Sequence, residues 1–209
     1  KMVTLNRAKL LCIAGTRPEA IKMAPVIQAL HEELWADCRV LATAQHRQML
    51  DQVLRLFDIA ADIDLDIMRP NQALNALTAR LLLDLDAALE VESPDAVLAQ
   101  GDTTTVMSAA LACFHRRIPF GHVEAGLRTG DLGNPFPEEM NRVIASRLAR
   151  SAGGHERRAG LSSGPPIYRC VLRAGYAVGL ERPRIRHASQ PAMSRLICSY
   201  CSRVSSPRA

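Results

Sequence analysis

The sequence predicts an α/β fold: a Rossmann-like parallel sheet with helices on both faces over residues 1–150, then an irregular tail over 151–209. Three observations predict it. Short apolar runs alternate with longer segments of helical periodicity between residues 9 and 150. The runs are apolar throughout rather than alternating, which is the pattern of strands buried on both faces. Each run also ends at a glycine or a polar cluster, where a chain that alternates strand and helix turns into its next crossover.

The elements follow in order. Lys9 to Ala14 is a first strand, stopped by Gly15. Pro18 opens a helix that the pattern carries to Leu34, with Ile21, Ala24, Ile27 and Leu30 on one face. Proline is tolerated there because its missing N–H would be unpaired in a first turn. Arg39 to Thr43 is a second strand, and His46 to Phe57 a helix with Met49, Val53, Leu56 and Phe57 at helical spacing. Asp62 to Asp66 is a brief strand, and Leu74 to Val91 a long amphipathic helix. Ser93-Pro94-Asp95 leads into a strand at Ala96 to Gln100, ended by Gly101. Thr103 to Arg116 is helical, Pro119 to Glu124 is a strand, and Pro137 to Arg150 is the last helix.

The charge divides at the same boundary. The formal net charge of +5 belongs to the tail: residues 1–150 carry 16 Lys and Arg against 19 Asp and Glu, whereas 151–209 carry 10 Arg against 2 Glu. A basic chain average therefore says nothing about the domain in front. The tail also holds 9 Ser, 6 Gly and 5 Pro, no Lys and no Asp, and no lasting periodicity. Such composition reads as disordered or as a linker, and the loss of Lys and Asp fits a change of reading frame in a GC-rich gene. The tail lacks interleaved aromatics and a basic helix, so no nucleic-acid partner is expected. No run reaches membrane-spanning length, and Leu10 to Ala14 is too short for a signal-peptide core. A cytoplasmic protein is expected. Cys12, Cys38 and Cys113 read as buried small hydrophobes; Cys198 and Cys201 form a C-x-x-C without the second pair a zinc site needs.

Ligands of parallel α/β sheets bind beyond the carboxyl ends of the strands. Arg17 and Lys22 flank a helix N-terminus after the first strand, where backbone N–H groups, the helix dipole and two cations suit a phosphate. They read equally as solvated surface charges, because Gly15 to Glu19 is no Walker loop. Asp102 follows Gly101 at a strand-to-helix turn and is either an acid–base group or an N-cap, with Thr103 to Thr105 sharing the capping role. Glu124 ends an apolar strand, where an unpaired carboxylate is costly to bury. His122 shares its face and reads as a hydrogen-bonded structural histidine or a catalytic one. Glu138 and Glu139 open a helix and read as dipole partners. Two or three carboxylates with two cations suit an anionic ligand and acid–base chemistry at carbon.

Five blocks then give a family resemblance: Gly15 to Pro25, Thr43 to Asp51, Gly101 to Thr105, Gly121 to Asp131 and Phe136 to Arg142. In order and spacing, over residues 9–149, the chain resembles the non-hydrolysing UDP-N-acetylglucosamine 2-epimerases. The His122 to Asp131 block fits that type better than the hydrolysing one. The resemblance implies the N-terminal half of a glycosyltransferase-B type fold, usually dimeric. It implies interconversion of UDP-N-acetylglucosamine and UDP-N-acetylmannosamine through a 2-acetamidoglucal, for surface polysaccharide synthesis, with no metal or other cofactor. By position it assigns Asp102, Glu124 and Glu138 as acid–base carboxylates, and Arg17 and Lys22 as substrate and diphosphate contacts, with His122 expected as a further substrate-binding residue. Gln45 and Gln48 fall where some members bind a second, activating UDP-N-acetylglucosamine. Past Arg150 the family continues into a second Rossmann-like domain that completes the cleft. Residues 151–209 do not resemble it, so an inactive single lobe that binds ligand or a partner lobe is the alternative.

Overall fold

The computed structural model describes residues 7–43, 47–123 and 127–152. All of them belong to the first of two compact units, Lys1–Gly179; the second, Leu180–Ala209, lies outside the described residues. The order is β1 (Ala8–Ala14), α1 (Arg17–His31), β2 (Ala36–Ala42), α2 (Arg47–Leu56), β3 (Ile63–Asp64), α3 (Leu74–Glu92), β4 (Ala96–Gln100), α4 (Thr104–His115), β5 (Phe120–Val123) and α5 (Glu138–Ala152). The strands form one five-stranded sheet in the order β3-β2-β1-β4-β5, and every pairing is parallel. The chain thus builds outward from β1 to β3, then crosses back through α3 to place β4 on the other side of β1. The point where the order reverses lies between β1 and β4, where such sheets open a crevice at their carboxyl edge.

Helices cover both faces. On one, Met23, Val26, Ile27 and Leu30 of α1 and Leu50, Val53 and Leu54 of α2 pack on Leu10, Cys12, Val40 and Leu98. On the other, Leu77, Leu81, Leu85 and Leu89 of α3 join Val106, Ala109 and Ala110 of α4 and Ala145 of α5 over Leu11, Ile13, Leu41, Val97 and Phe120. Successive residues of β1 feed opposite cores, which is why the strand is apolar without alternation. Each fully buried leucine or isoleucine contributes roughly 1.5–3 kcal/mol of transfer free energy.

The structure moves some details of the sequence reading. Helix α1 ends at His31 rather than Leu34, because the Glu32 N–H donates to the Gln28 carbonyl and the Glu33 N–H to Leu30, tightening the last turn. Leu34 is 83% exposed, so its apolar signal belonged to no core. On α1 the expected Ala24, Ile27 and Leu30 are buried and Ala20 and Met23 join them, whereas Ile21 is exposed. In α2, likewise, Leu50 and Leu54 are buried and Leu56 is exposed. Strand β2 starts earlier, at Ala36, because β1 pairs with it along its full length.

Cys12 and Cys113 are buried as expected, whereas Cys38 is only half-buried, with its Sγ 3.7 Å from that of Cys12. The hydrogen bond with Cys38, together with burial, pushes the Cys12 thiol well up, and burial pushes Cys113 up to about 12. Neither is then a thiolate near neutral pH. Alkylation of the native chain at about pH 8, read by peptide mass spectrometry, is expected to spare Cys12 and Cys113 until denaturant is added. Labelling of either at the rate of a free thiol would contradict this packing.

Candidate active site

The carboxyl edge at the sheet reversal is built from three turns. The first joins β1 to α1 and carries Gly15, Thr16 and, as the first residue of α1, exposed Arg17. Lys22 lies on the next turn of the same helix and is half-buried. The second joins β4 to α4 and carries Gly101, Asp102 and Thr103. Gly101 has φ +104°, a conformation L side chains rarely adopt, which explains glycine there. The third follows β5 and leads into α5, whose N-terminal residues are Glu138 and Glu139.

The helix cap at the second turn is Thr103, not Asp102: its hydroxyl accepts the Val106 N–H. That leaves the Asp102 carboxylate for another partner. Arg142 of α5 lies beside it, with Nε 3.5 Å from Oδ2, and the Asn141 amide donates to the Asp102 carbonyl at 2.9 Å. His122 grips the same turn, with Nε2 2.6 Å from the Gly101 carbonyl and Nδ1 3.2 Å from the Ser146 hydroxyl. The ring is 1% exposed, so both nitrogens face protein atoms.

Two residues that sequence reasoning did not count among the site residues are central here. Glu19 is 3% exposed; its Oε2 accepts the Gly15 and Thr16 N–H groups at 2.7 and 2.9 Å, and its Oε1 accepts the Thr103 hydroxyl at 2.6 Å. The carboxylate therefore joins the β1–α1 turn to the β4–α4 turn across the sheet reversal. The signal for it was the Thr16-x-x-Glu19 spacing of a capping box, which predicts the bond to the Thr16 N–H and no more. The second is Glu139. The sequence reads Glu138 and Glu139 alike, and the structure separates them. Glu138 is half-buried, whereas Glu139 is 1% exposed and accepts the Thr129 and Gly130 N–H groups. Its Oε2 lies 3.5 Å from Arg142 Nη2, so Arg142 sits between Asp102 and Glu139.

Arg17, Lys22, Asp102 and Glu138 thus fall on the carboxyl side of the sheet, on the three turns or the helices they open, and His122 lies in β5, next to its last residue. Glu124 and Gln45 lie outside the described residues. Gln48 is placed by its backbone in the first turn of α2.

Burial raises the Glu19 carboxyl above its ordinary range, opposed by its bonds from Thr103, Gly15 and Thr16. Burial lowers His122, and the Gly101 carbonyl offsets part of that; Arg128 lowers it further and Asp102 raises it. The signs are opposite in stability. A carboxyl raised in the folded state contributes most below its unfolded value and loses this as pH rises through the folded one. A depressed histidine contributes fully above its unfolded value and loses this as pH falls. The melting temperature of the parent minus that of Glu19→Gln is therefore expected to narrow from about pH 5 to about pH 8, and the same difference for His122→Gln to widen. Parallel trends in the two series would contradict these environments.

The family described as UDP-N-acetylglucosamine 2-epimerase matches residues 28–155. The chain belongs to the UDP-N-acetylglucosamine 2-epimerase family. It is 60% identical over 141 residues to the UDP-N-acetylglucosamine 2-epimerase of Yersinia pestis, covering 68% of this chain and 38% of that protein. Among solved structures, the UDP-GlcNAc 2-epimerase of Neisseria meningitidis bound to UDP-GlcNAc superposes with a TM-score of 0.65 at 54% identity, over 68% of this chain and 39% of that one. MurG of Acinetobacter baumannii, at 19% identity and a TM-score of 0.51, shares the fold alone. The expectation of one Rossmann-like half of a glycosyltransferase-B type architecture holds. The chain spans 38% of the length of the Yersinia pestis relative. Among the described residues no helix is long and apolar enough to cross a membrane.

Proposed function

We propose that this chain is the N-terminal lobe of a non-hydrolysing epimerase that interconverts UDP-N-acetylglucosamine and UDP-N-acetylmannosamine. The observation that carries the reading is the arrangement at the sheet reversal: a cation and a helix N-terminus after β1, and a carboxylate held beside Arg142 after β4. The likeness to a UDP-GlcNAc-bound relative supplies the ligand class.

The chemistry follows from what a sugar C2–H demands. It is too weakly acidic for simple deprotonation, so proton removal is coupled to departure of UDP from C1. One carboxylate takes the C2 proton, the C–H electrons form the C1=C2 bond of 2-acetamidoglucal, and the C1–O electrons leave with UDP. UDP then adds back at C1 while a proton reaches C2 from the other face. Asp102, Glu124 and Glu138 are the acid–base groups of this reading. Arg17, Lys22 and the N-terminus of α1 stabilise the diphosphate as it takes up negative charge, and His122 sets the turn that presents Asp102. Gln45 and Gln48 are the candidate contacts of a second, activating nucleotide sugar. Residues 151–209 are read as a tail outside this lobe, and a homodimer in the cytoplasm is the expected assembly.

The described residues form one five-stranded sheet where the family resemblance calls for two Rossmann-like domains, and that favours a second reading: a lobe that binds UDP without turnover. Proton NMR of the chain with UDP-N-acetylglucosamine in D2O separates the two. Loss of the C2–H signal with formation of the manno epimer supports the epimerase, and Asp102→Asn is then expected to slow exchange by about 10²–10⁴-fold. UDP binding that weakens in Arg17→Ala, with the C2–H signal intact, supports the binding lobe. Neither exchange nor binding would remove both readings for this chain.

A further inference from the structure

The functional reading uses Arg17 on one turn and Asp102 on another, and the two belong to strands on opposite sides of the sheet reversal. Nothing in the backbone pairing of β1 with β4 reaches these turns, because that register ends at Ile13 and Ala99. Their relative placement beyond the strands is left to side chains. Glu19 spans them. Three donors converge on its two oxygens: the Gly15 and Thr16 N–H groups from the first turn and the Thr103 hydroxyl from the second.

The surroundings leave little slack. A Cβ at Gly15 would meet Thr43 Oγ1 at 2.5 Å, Thr105 Oγ1 at 2.8 Å and Glu19 Oε2 at 3.3 Å, and a Cβ at Gly101 would meet the Glu19 stem at 3.5 Å. Thr43 and Thr105 themselves share a hydrogen bond at 3.2 Å. The ends of β1 and β2 and the start of α4 therefore close around this carboxylate. An isolated capping box would account for the bond to Thr16, but not for the 2.6 Å bond to Thr103, 84 residues further along. Nor does helix capping require a carboxylate that is 3% exposed, since desolvation makes that costly.

We propose that Glu19 is a positioning residue for the epimerase reaction: its carboxylate ties the turn that opens at Arg17 to the turn that carries Asp102 and fixes the spacing between diphosphate grip and acid–base group. This rests on the functional reading above. Glu19 does not touch the reacting atoms; it acts through Thr103 and the N–H groups of Gly15 and Thr16. The expected penalty falls on the chemical step, because a displacement of about 1 Å at a reacting group costs about 100-fold in rate.

The test compares Glu19→Gln, Thr103→Ser and Thr103→Val in the full 209-residue chain. Glutamine keeps the volume but offers one acceptor oxygen for three donors, so the Thr103 hydroxyl loses its acceptor. Serine keeps that hydroxyl, and valine removes it. Each variant is read by C2–H exchange in D2O, by UDP affinity and by the backbone amide NMR signals of Gly15, Thr16, Asp102 and Thr103. Glu19→Gln is expected to lower kcat by about 10- to 100-fold with KM and UDP affinity changed less than about threefold. Thr103→Val is expected to follow it and Thr103→Ser to stay near the parent. Glu19→Gln is also expected to shift the Asp102 and Thr103 amides, and Thr103→Val those of Gly15 and Thr16. A Glu19→Gln chain with parent kcat, or a Thr103→Val chain whose Gly15 and Thr16 signals do not move, would overturn the proposal. If the parent chain shows no exchange, the functional reading fails for this chain. The tie between the turns is then decided by the amide signals alone, and their failure to respond across the two turns overturns it as well.

Discussion

Arg142→Met is expected to destabilise the chain by about 3–5 kcal/mol, the cost of leaving a buried charge without its partner. Glu139 is 1% exposed, and its Oε2 has no hydrogen bond, only the Arg142 guanidinium 3.5 Å away. Methionine fills much of the arginine volume and supplies no charge. The orphaned carboxylate must then be protonated, hydrated by opening the loop at Thr129 and Gly130, or left unpaired. Urea denaturation of the parent, Arg142→Met, Glu139→Gln and the double variant decides the matter. The double variant is expected to recover a large part of the loss, because replacing both members of a buried pair is far cheaper than removing one. A single-variant loss below about 1 kcal/mol, or losses that simply add, would show that the two residues are not coupled. Arg142 also stands 3.5 Å from Asp102, so the same variant tests whether the site survives when that cation is removed.

The second large effect is expected at Gly15. Its added methyl would lie 2.5 Å from Thr43 Oγ1 and 2.8 Å from Thr105 Oγ1, both on residues with no exposure. Gly15→Ala is therefore expected to cost about 1–3 kcal/mol by overpacking. It is also expected to displace the turn that leads to Arg17, so UDP affinity falls together with melting temperature. Adding Thr43→Ala removes the closer obstacle and is expected to restore part of both. A fully stable Gly15→Ala chain with unchanged UDP affinity would mean that the turns can separate at little cost.

The fold was legible because its elements depend on local pattern. The run Leu10 to Ala14, the Gly15 stop and the Pro18 start are each explained by residues within a few positions, and the ten expected elements are all present. Where the reading slipped, the cause was non-local. The apolar signal at Ile21, Leu34 and Leu56 is real, yet each is exposed, because the sheet decides which stripe of a helix it covers. The candidate site was legible as composition at strand ends. Arg17, Lys22, Asp102 and Glu138 lie on turns or helices at the carboxyl side of the sheet and His122 in β5, which places these residues without testing their roles.

What the sequence determined by itself is the set of parts: parallel strands, the helices between them, and charged groups at the strand ends. Periodicity and turn chemistry act over a few residues, so one chain segment suffices to read them. The tertiary structure alone decided the partners. Thr16-x-x-Glu19 spells a capping box, but only the crossing from α3 back to β4 brings Thr103 to its other oxygen. Glu138 and Glu139 are identical in sequence terms; the i,i+3 spacing to Arg142 is local, but only the packing of α5 buries Glu139 and brings the Thr129 and Gly130 N–H groups to it. Asp102 stood ready to cap α4, and Thr103 took that place, which left the carboxylate facing a cation 40 residues away. Burial, and the pairing of Asp102 with Arg142, depend on segments far apart in the chain. No local pattern encodes them, and the position of a residue at a strand end does not say what it will meet there.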